Sequence, residues 1–197
     1  MYRAIELVRS DKDLHRFVWR QSPEEPLQDF RMTRVTFGVS ASSYAANMSV
    51  KQNAIELASE YPLAVDVVGK AFYVDDCLSG ADTPEEAIEM YKQLLELFNR
   101  GGFLLRKWNS SDLTVLQQIP PELRDSQSLH IIQSSDEYTK TLGIQWNPNS
   151  DHFRLAIADL PQLQNLTKRT LVSDIAKTFD VLGWFSPTII KMKILLQ

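Results

Sequence analysis

The stretch from Thr83 to Gly102 leaves the backbone less choice than any other part of this 197-residue chain. Thr83 suits a helix N-cap, Pro84 suits the first helical position, and Glu86 completes a capping box. Ala87, Ile88, Tyr91, Leu94, Leu95 and Phe98 then recur at helical spacing as one apolar stripe. Gly101-Gly102 stops the helix. Such a stripe needs a second layer to cover it, so the flanking segments are read for strands. Phe103-Leu104-Leu105 reads as a strand running back onto a sheet. Upstream, Lys70-Ala71-Phe72-Tyr73-Val74 reads as the end of a buried strand and Cys77-Leu78-Ser79-Gly80 as the start of a returning one. The order predicts a βαβ-like crossover within an α+β, α/β-layered chain.

Asp75 and Asp76 fall at the tip of that hairpin, where Asp tolerates turn geometry. Two adjacent carboxylates on a turn can present oxygen ligands to a hard divalent cation. An ordinary Asp-containing turn accounts for the same residues, so the local sequence leaves both readings open.

The remaining segments surround this centre. Leu14 to Arg20 and Asp29 to Val35 read as two strands of a hairpin, joined through Ser22-Pro23-Glu24-Glu25-Pro26. A helix is expected from about Ala41 to Tyr61, with Tyr44, Ala45, Met48, Ile55 and Ala58 on its apolar face and Pro62 ending it. Residues from Asn109 to Ser135 are polar and loop-like. Lys140 to Trp146 and His152 to Ile157 read as another hairpin, turning through Asn147-Pro148-Asn149-Ser150. Thr167 to about Phe179 and Ser186 to Leu196 are helical by capping and period. A domain boundary is expected near Pro161, with one domain over 1–160 and a second, helical one over 161–197.

Composition excludes several classes of function. The net charge of −4 argues against the whole chain acting as an electrostatic nucleic-acid binder. Charge is uneven, however: from Gln162 onward Lys168, Arg169, Lys177, Lys191 and Lys193 face only Asp174 and Asp180. Cys77 is the single cysteine, which rules out an internal disulfide and suits a reducing, intracellular setting. Its small side chain is expected to be buried. No apolar run is long enough to span a bilayer, so no membrane partner is expected. His15, His130 and His152 lie far apart without cysteine partners, so no zinc motif is present. Phosphate-cradling Gly-rich loops and Gly-x-Ser-x-Gly strings are absent.

Taken together, Phe72-Tyr73-Val74-Asp75-Asp76 resembles the catalytic hairpin of reverse transcriptases. Phe37-Gly38-Val39-Ser40-Ala41-Ser42 resembles the segment beside the incoming nucleotide. Arg106-Lys107-Trp108 resembles the lysine-bearing strand end, and Leu142-Gly143-Ile144-Gln145-Trp146 the primer-grip hairpin. Asp13 to Arg20 and Ser173 to Trp184 are similar to segments of BEL/Pao long-terminal-repeat retrotransposon polyproteins. The resemblance implies an RNA-directed DNA polymerase: a palm sheet with helices on one face, then the start of a small helical thumb or connection.

The resemblance further implies two Mg2+ ions held by Asp75 and Asp76 during transfer of a nucleotide to a primer 3′-hydroxyl. Lys107 would protonate the leaving pyrophosphate; a solvated lysine is the alternative. Tyr2, Phe37 and Gly38 would line the deoxynucleotide pocket, Tyr2 alternatively being a packed aromatic. Ser43 stands where the family often has Pro. Tyr73, Leu142, Gly143 and Trp146 would support primer and template, and Lys168 and Arg169 would touch phosphates. Partners would be an RNA/DNA template-primer, a dNTP and the remainder of the Pol polyprotein, in the cytoplasm within a retroelement particle. The family uses three carboxylates, and by this alignment the first is expected a few residues before Met1, with fingers also preceding it. The chain is further expected to lack ribonuclease H, protease and integrase portions, to bind metal weakly and to be inactive alone. The other reading is a domesticated or relic fragment that binds nucleic acid or protein without catalysis.

Overall fold

The computed structural model describes residues 1–125, 138–141, 144–155, 167–177, 180 and 183–196. It divides into two compact units, Met1–Arg106 and Lys107–Gln197. The boundary expected near Pro161 lies outside the described residues. Helices accompany small antiparallel sheets in both units, the α+β class expected from the sequence.

In the first unit, β1 (Arg16–Trp19) pairs with β2 (Gln28–Arg31), with Phe17 opposite Phe30 and Trp19 opposite Gln28. Alternation puts Phe17, Phe30 and Trp19 on one face and Arg16, Val18, Asp29 and Arg31 on the other. The strands are exposed along their length. Tyr2–Ala4 is a 3-10 turn, followed by a single bridge from Glu6 to Arg34.

Helix α1 (Ser42–Glu56) stops short of the expected Tyr61. A second helix, α2 (Pro62–Lys70), for which the sequence raised no expectation, runs up to the expected strand that begins at Lys70. Pro62 begins this helix instead of ending the one before it, because proline fits the first turn, where its missing N–H is not needed. The Gln93 side-chain oxygen accepts the Leu63 N–H at 2.9 Å and the Ala64 N–H at 3.4 Å, so two helix-start donors are satisfied from a neighbouring helix. Ala64, Val67 and Val68 bury at helical spacing, and that packing overrides the β preference of valine.

The buried face of α1 also differs from expectation. Ala46, Val50 and Ala54 are buried, whereas Tyr44, Met48 and Ile55 are exposed. Apolar residues are spread nearly evenly around α1, so periodicity does not choose a face. The small residues let α1 come close to its partner helices, and the bulky ones are left outside.

Helix α3 (Pro84–Arg100) forms as expected. Thr83 Oγ1 accepts the Glu86 N–H at 3.2 Å, and the Glu86 carboxylate reaches back to the Asp82 N–H at 3.2 Å. Tyr91, Leu94, Leu97 and Phe98 are its buried residues. Its end is a complete Schellman turn: Gly102 adopts φ 75°, its N–H donates to Asn99 O at 3.0 Å, and the Phe103 N–H donates to Phe98 O at 2.8 Å. Phe103 folds back onto Phe98, with ring centroids 6.0 Å apart. That closure explains why Phe103–Leu105 is irregular and not the expected strand, so no βαβ crossover forms here. The Asn53 amide donates to Leu97 O at 2.8 Å and joins α1 to the last turn of α3.

The second unit contains a helix within the segment expected to be a loop. In α4 (Leu113–Gln118), the Asp112 carboxylate accepts the Thr114 and Val115 N–H groups at 2.7 and 3.2 Å. These bonds, the Thr114 side chain foremost, hold Asp112 below the usual carboxylate range. β5 (Thr139–Thr141), β6 (Ile144–Asn147) and β7 (His152–Leu155) form a three-stranded antiparallel sheet. The expected turn between β6 and β7 is present, organised by Asn147, whose side-chain oxygen accepts the N–H groups of Asn149 and Ser150. The two expected tail helices are α5 (Lys168–Lys177) and α6 (Ser186–Leu195).

Candidate functional site

The Asp-Asp hairpin is short. β3 (Phe72–Tyr73) pairs with β4 (Asp76–Cys77), placing Phe72 opposite Cys77 and Tyr73 opposite Asp76. Only Val74 and Asp75 form the turn, so Asp75 sits at the tip and Asp76, expected there too, is the first residue of the returning strand. A two-residue hairpin needs a primed turn, whose first central position takes positive φ. Val74 occupies it at φ 55°, a strained conformation for a β-branched residue.

Strand alternation separates the hairpin into two faces. Phe72 stacks on Phe98 of α3, with centroids 5.0 Å apart and an interplanar angle of 18°. Cys77, opposite Phe72, shares that face. The residue is exposed rather than buried as expected, yet desolvation pushes its thiol up to about 11. Tyr73 and Asp76 lie on the other face, both exposed, with Tyr73 at 58%. Asp75 is exposed as well. The helix-packed side therefore holds the hairpin while the opposite side and the tip present two carboxylates. Among the described residues, no group of three or more His, Cys, Asp or Glu could hold a metal ion. Two carboxylates suit Mg2+ in kind, because that ion is often bound by one or two carboxylates, with water and phosphate completing its shell.

A second cluster lies in the same unit. The Tyr2 hydroxyl is 3.0 Å from Ser43 Oγ, and the Tyr2 ring meets Phe37 edge-on with centroids 4.8 Å apart. Phe37 is 67% exposed. Gly38 adopts φ 81°, and a Cβ there would meet open space, so its backbone conformation and not crowding calls for glycine. Tyr2, Phe37 and Gly38 thus lie together beside the start of α1. The hydrogen bond to Ser43 was not foreseen; two residues 41 positions apart give no local signal of it.

Other candidates belong to the second unit. Lys107 is exposed at φ 59°, between the irregular 103–106 stretch and Trp108. Trp146 lies in β6, its indole N–H donating to the Asp151 carboxylate at 2.9 Å. Leu142 and Gly143 lie outside the described residues. Lys168 and Arg169 are exposed in the first turn of α5, which is capped by mutual hydrogen bonds between Thr167 and Thr170. Cations at a helix N-terminus oppose its dipole, at a cost of about 0.3–1 kcal/mol each.

Among the described residues, no helix is long and apolar enough to cross a membrane. No curated protein and no solved structure matches the chain. Residues 167–197 match the model of a family described as a Pao retrotransposon-like RNaseH-like domain. The match takes in α5 and α6, the segment expected to begin a thumb, and it runs against the expectation that no ribonuclease H portion is present. It covers a minority of the chain, and it links that segment to retrotransposons of the BEL/Pao type.

Proposed function

We propose that this chain is part of a BEL/Pao-type Pol polyprotein whose first unit carries the metal-binding hairpin of an RNA-directed DNA polymerase. The observation that carries the reading is the hairpin's two-sidedness: Phe72 is packed on α3 while Asp75 at the strained turn and Asp76 at the start of β4 face solvent. Polymerases of this kind need carboxylates fixed on a rigid support and open to ions, nucleotide and primer terminus together.

Each residue then has a defined task. Asp75 and Asp76 supply hard oxygen ligands for Mg2+, Asp75 the more directly. Bound Mg2+ lowers the pKa of the primer hydroxyl and offsets charge on the triphosphate. Tyr2 and Phe37 form a wall beside the ribose, with Gly38 providing the turn, and the Ser43 bond fixes the Tyr2 ring. Tyr73, on the face of Asp76, contacts the template-primer, with Leu142, Gly143 and Trp146 supporting the primer. Lys107 donates a proton to pyrophosphate. Lys168 and Arg169 neutralise phosphates, which gives a reason to keep cations where the helix dipole disfavours them.

Two carboxylates hold ions less well than the three the family uses, so the 197-residue polypeptide should extend a primer little or not at all. Metal binding is therefore the direct test. Mn2+ titration followed by electron paramagnetic resonance should show a weak site that Asp75→Asn and Asp76→Asn each weaken further. Binding unchanged by both substitutions would refute the metal assignment. Robust Mg2+-dependent synthesis on poly(rA)·oligo(dT) would refute the inactivity. A fragment that binds nucleic acid or protein without catalysis is the second reading, favoured by the lack of a third ligating group among the described residues. RNA binding indifferent to Mg2+ and to both asparagine variants would support it.

A further inference from the structure

Helices α5 and α6 enclose a groove of about 630 Å³. Its walls are aliphatic, formed by Val172, Ile175 and Ala176 of α5 with Ile189 and Leu196. Lys168, Lys193, Asp180 and Ser186 also line it. Neither lysine has an ion-pair partner among the described residues. The acids nearby are already engaged: Asp180 accepts the N–H groups of Trp184 and Phe185 at 2.9 and 2.7 Å, and Asp174 pairs with Lys177 at 2.7 Å. The groove thus combines an apolar floor with two lysines that outnumber the single carboxylate in its lining, Asp180.

We propose that this groove docks an acidic amphipathic helix of a partner protein. An occupant has to cover aliphatic surface and answer two cations at once. Single-stranded nucleic acid would answer the lysines, but among the described residues the groove lining holds no aromatic ring on which bases could stack. A flat lipid surface does not fill a concavity. A helix with Leu-type residues on one side and carboxylates flanking them meets both demands, by helix-in-groove packing with complementary charge. The ten-residue helices α5 and α6 each run about 15 Å, so an occupant helix of about three turns matches the groove. This inference shares Lys168 with the polymerase reading, so its test uses Lys193 and Val172, which that reading does not assign.

The test is fluorescence anisotropy on the full 197-residue chain. The probe is a labelled peptide about 14 residues long, with Leu at helical spacing and Glu elsewhere. Controls are the same peptide with Lys for Glu, and a poly(U) oligonucleotide. The acidic peptide should bind saturably and at least about tenfold more tightly than its basic twin. Lys193→Glu and Val172→Asp should each weaken it by about tenfold or more. Both positions are exposed, so the variants should keep the parent's circular dichroism. Equal binding of the two peptides, indifference to both variants, or displacement of the peptide by poly(U) would each overturn the proposal.

Discussion

Helices α3 and α6 both carry proline in their first turn, and they meet their surroundings in opposite ways. α3 sorts its residues: Tyr91, Leu94, Leu97 and Phe98 are buried while glutamates and lysine face out. α6 is on average more apolar, yet it buries no residue, and Ile190, Met192, Ile194 and Leu195 are exposed, Leu195 at 85%. The difference lies in arrangement. Isoleucine, lysine and methionine alternate around α6 without forming a stripe, so no single neighbour can cover it. Hydrophobic content draws a helix out of water, but only its pattern lets one surface do the covering.

Four substitutions sharpen that contrast. Leu97→Ala should destabilise the chain most, by about 2–5 kcal/mol in urea denaturation, because Leu97 is fully buried and leaves a cavity. A change below about 1 kcal/mol would mean that α3 is not the centre of its core. Gly101→Ala should cost about 1–3 kcal/mol. Its Cβ would lie 2.7 Å from Asn53 Nδ2 and push that amide off Leu97 O, so a variant that also carries Asn53→Ala should recover much of the clash. Thr83→Ala removes the cap from α3 and should lose about 1 kcal/mol, readable as a shift in the thermal midpoint. Ile190→Ala on α6 should stay within about 0.5 kcal/mol. A larger loss would show that α6 is covered in solution.

The titratable groups extend the comparison to pH. Asp112 caps α4 and titrates below its ordinary value. The cap's contribution is therefore present above the unfolded-state carboxylate pKa and lost as pH falls through the folded value. Asp112→Asn should flatten the acid limb of the stability profile without shifting its alkaline limb. Cys77 moves in the opposite direction, its thiol raised to about 11. Its modification by iodoacetamide near pH 8 should run about tenfold slower than that of a free thiol, since a smaller thiolate fraction outweighs the greater nucleophilicity of the more basic sulfur. Because the neutral thiol is the form favoured by folding, this contribution fades only as pH rises above the ordinary thiol range.

The candidate site was legible wherever its signal was local. The Asp-Asp hairpin follows from strand formers meeting a turn, and only the exact place of the turn differed, because Val74 accepts a strained φ that its side chain argues against. The structure brings the Tyr2 ring against Phe37, a contact between residues far apart in sequence that no local pattern announces. The bond to Ser43 depends on a residue distant in sequence. The missed helix α2 teaches the same lesson, since its start is satisfied by Gln93, about thirty residues away.

By itself, the sequence determined what neighbouring residues can settle: both ends of α3, through Thr83 and the Gly102 turn, the β1–β2 and β6–β7 pairings, and the two tail helices. Only tertiary structure decided that α1 buries Ala46, Val50 and Ala54 in place of its larger residues, that Pro62–Lys70 is helix, and that Phe103 returns to α3 instead of extending a sheet. Caps and turns are closed by hydrogen bonds within a few residues, so composition reveals them. Choosing a buried face depends on which partner surface comes close enough to exclude water, and that partner lies elsewhere in the chain.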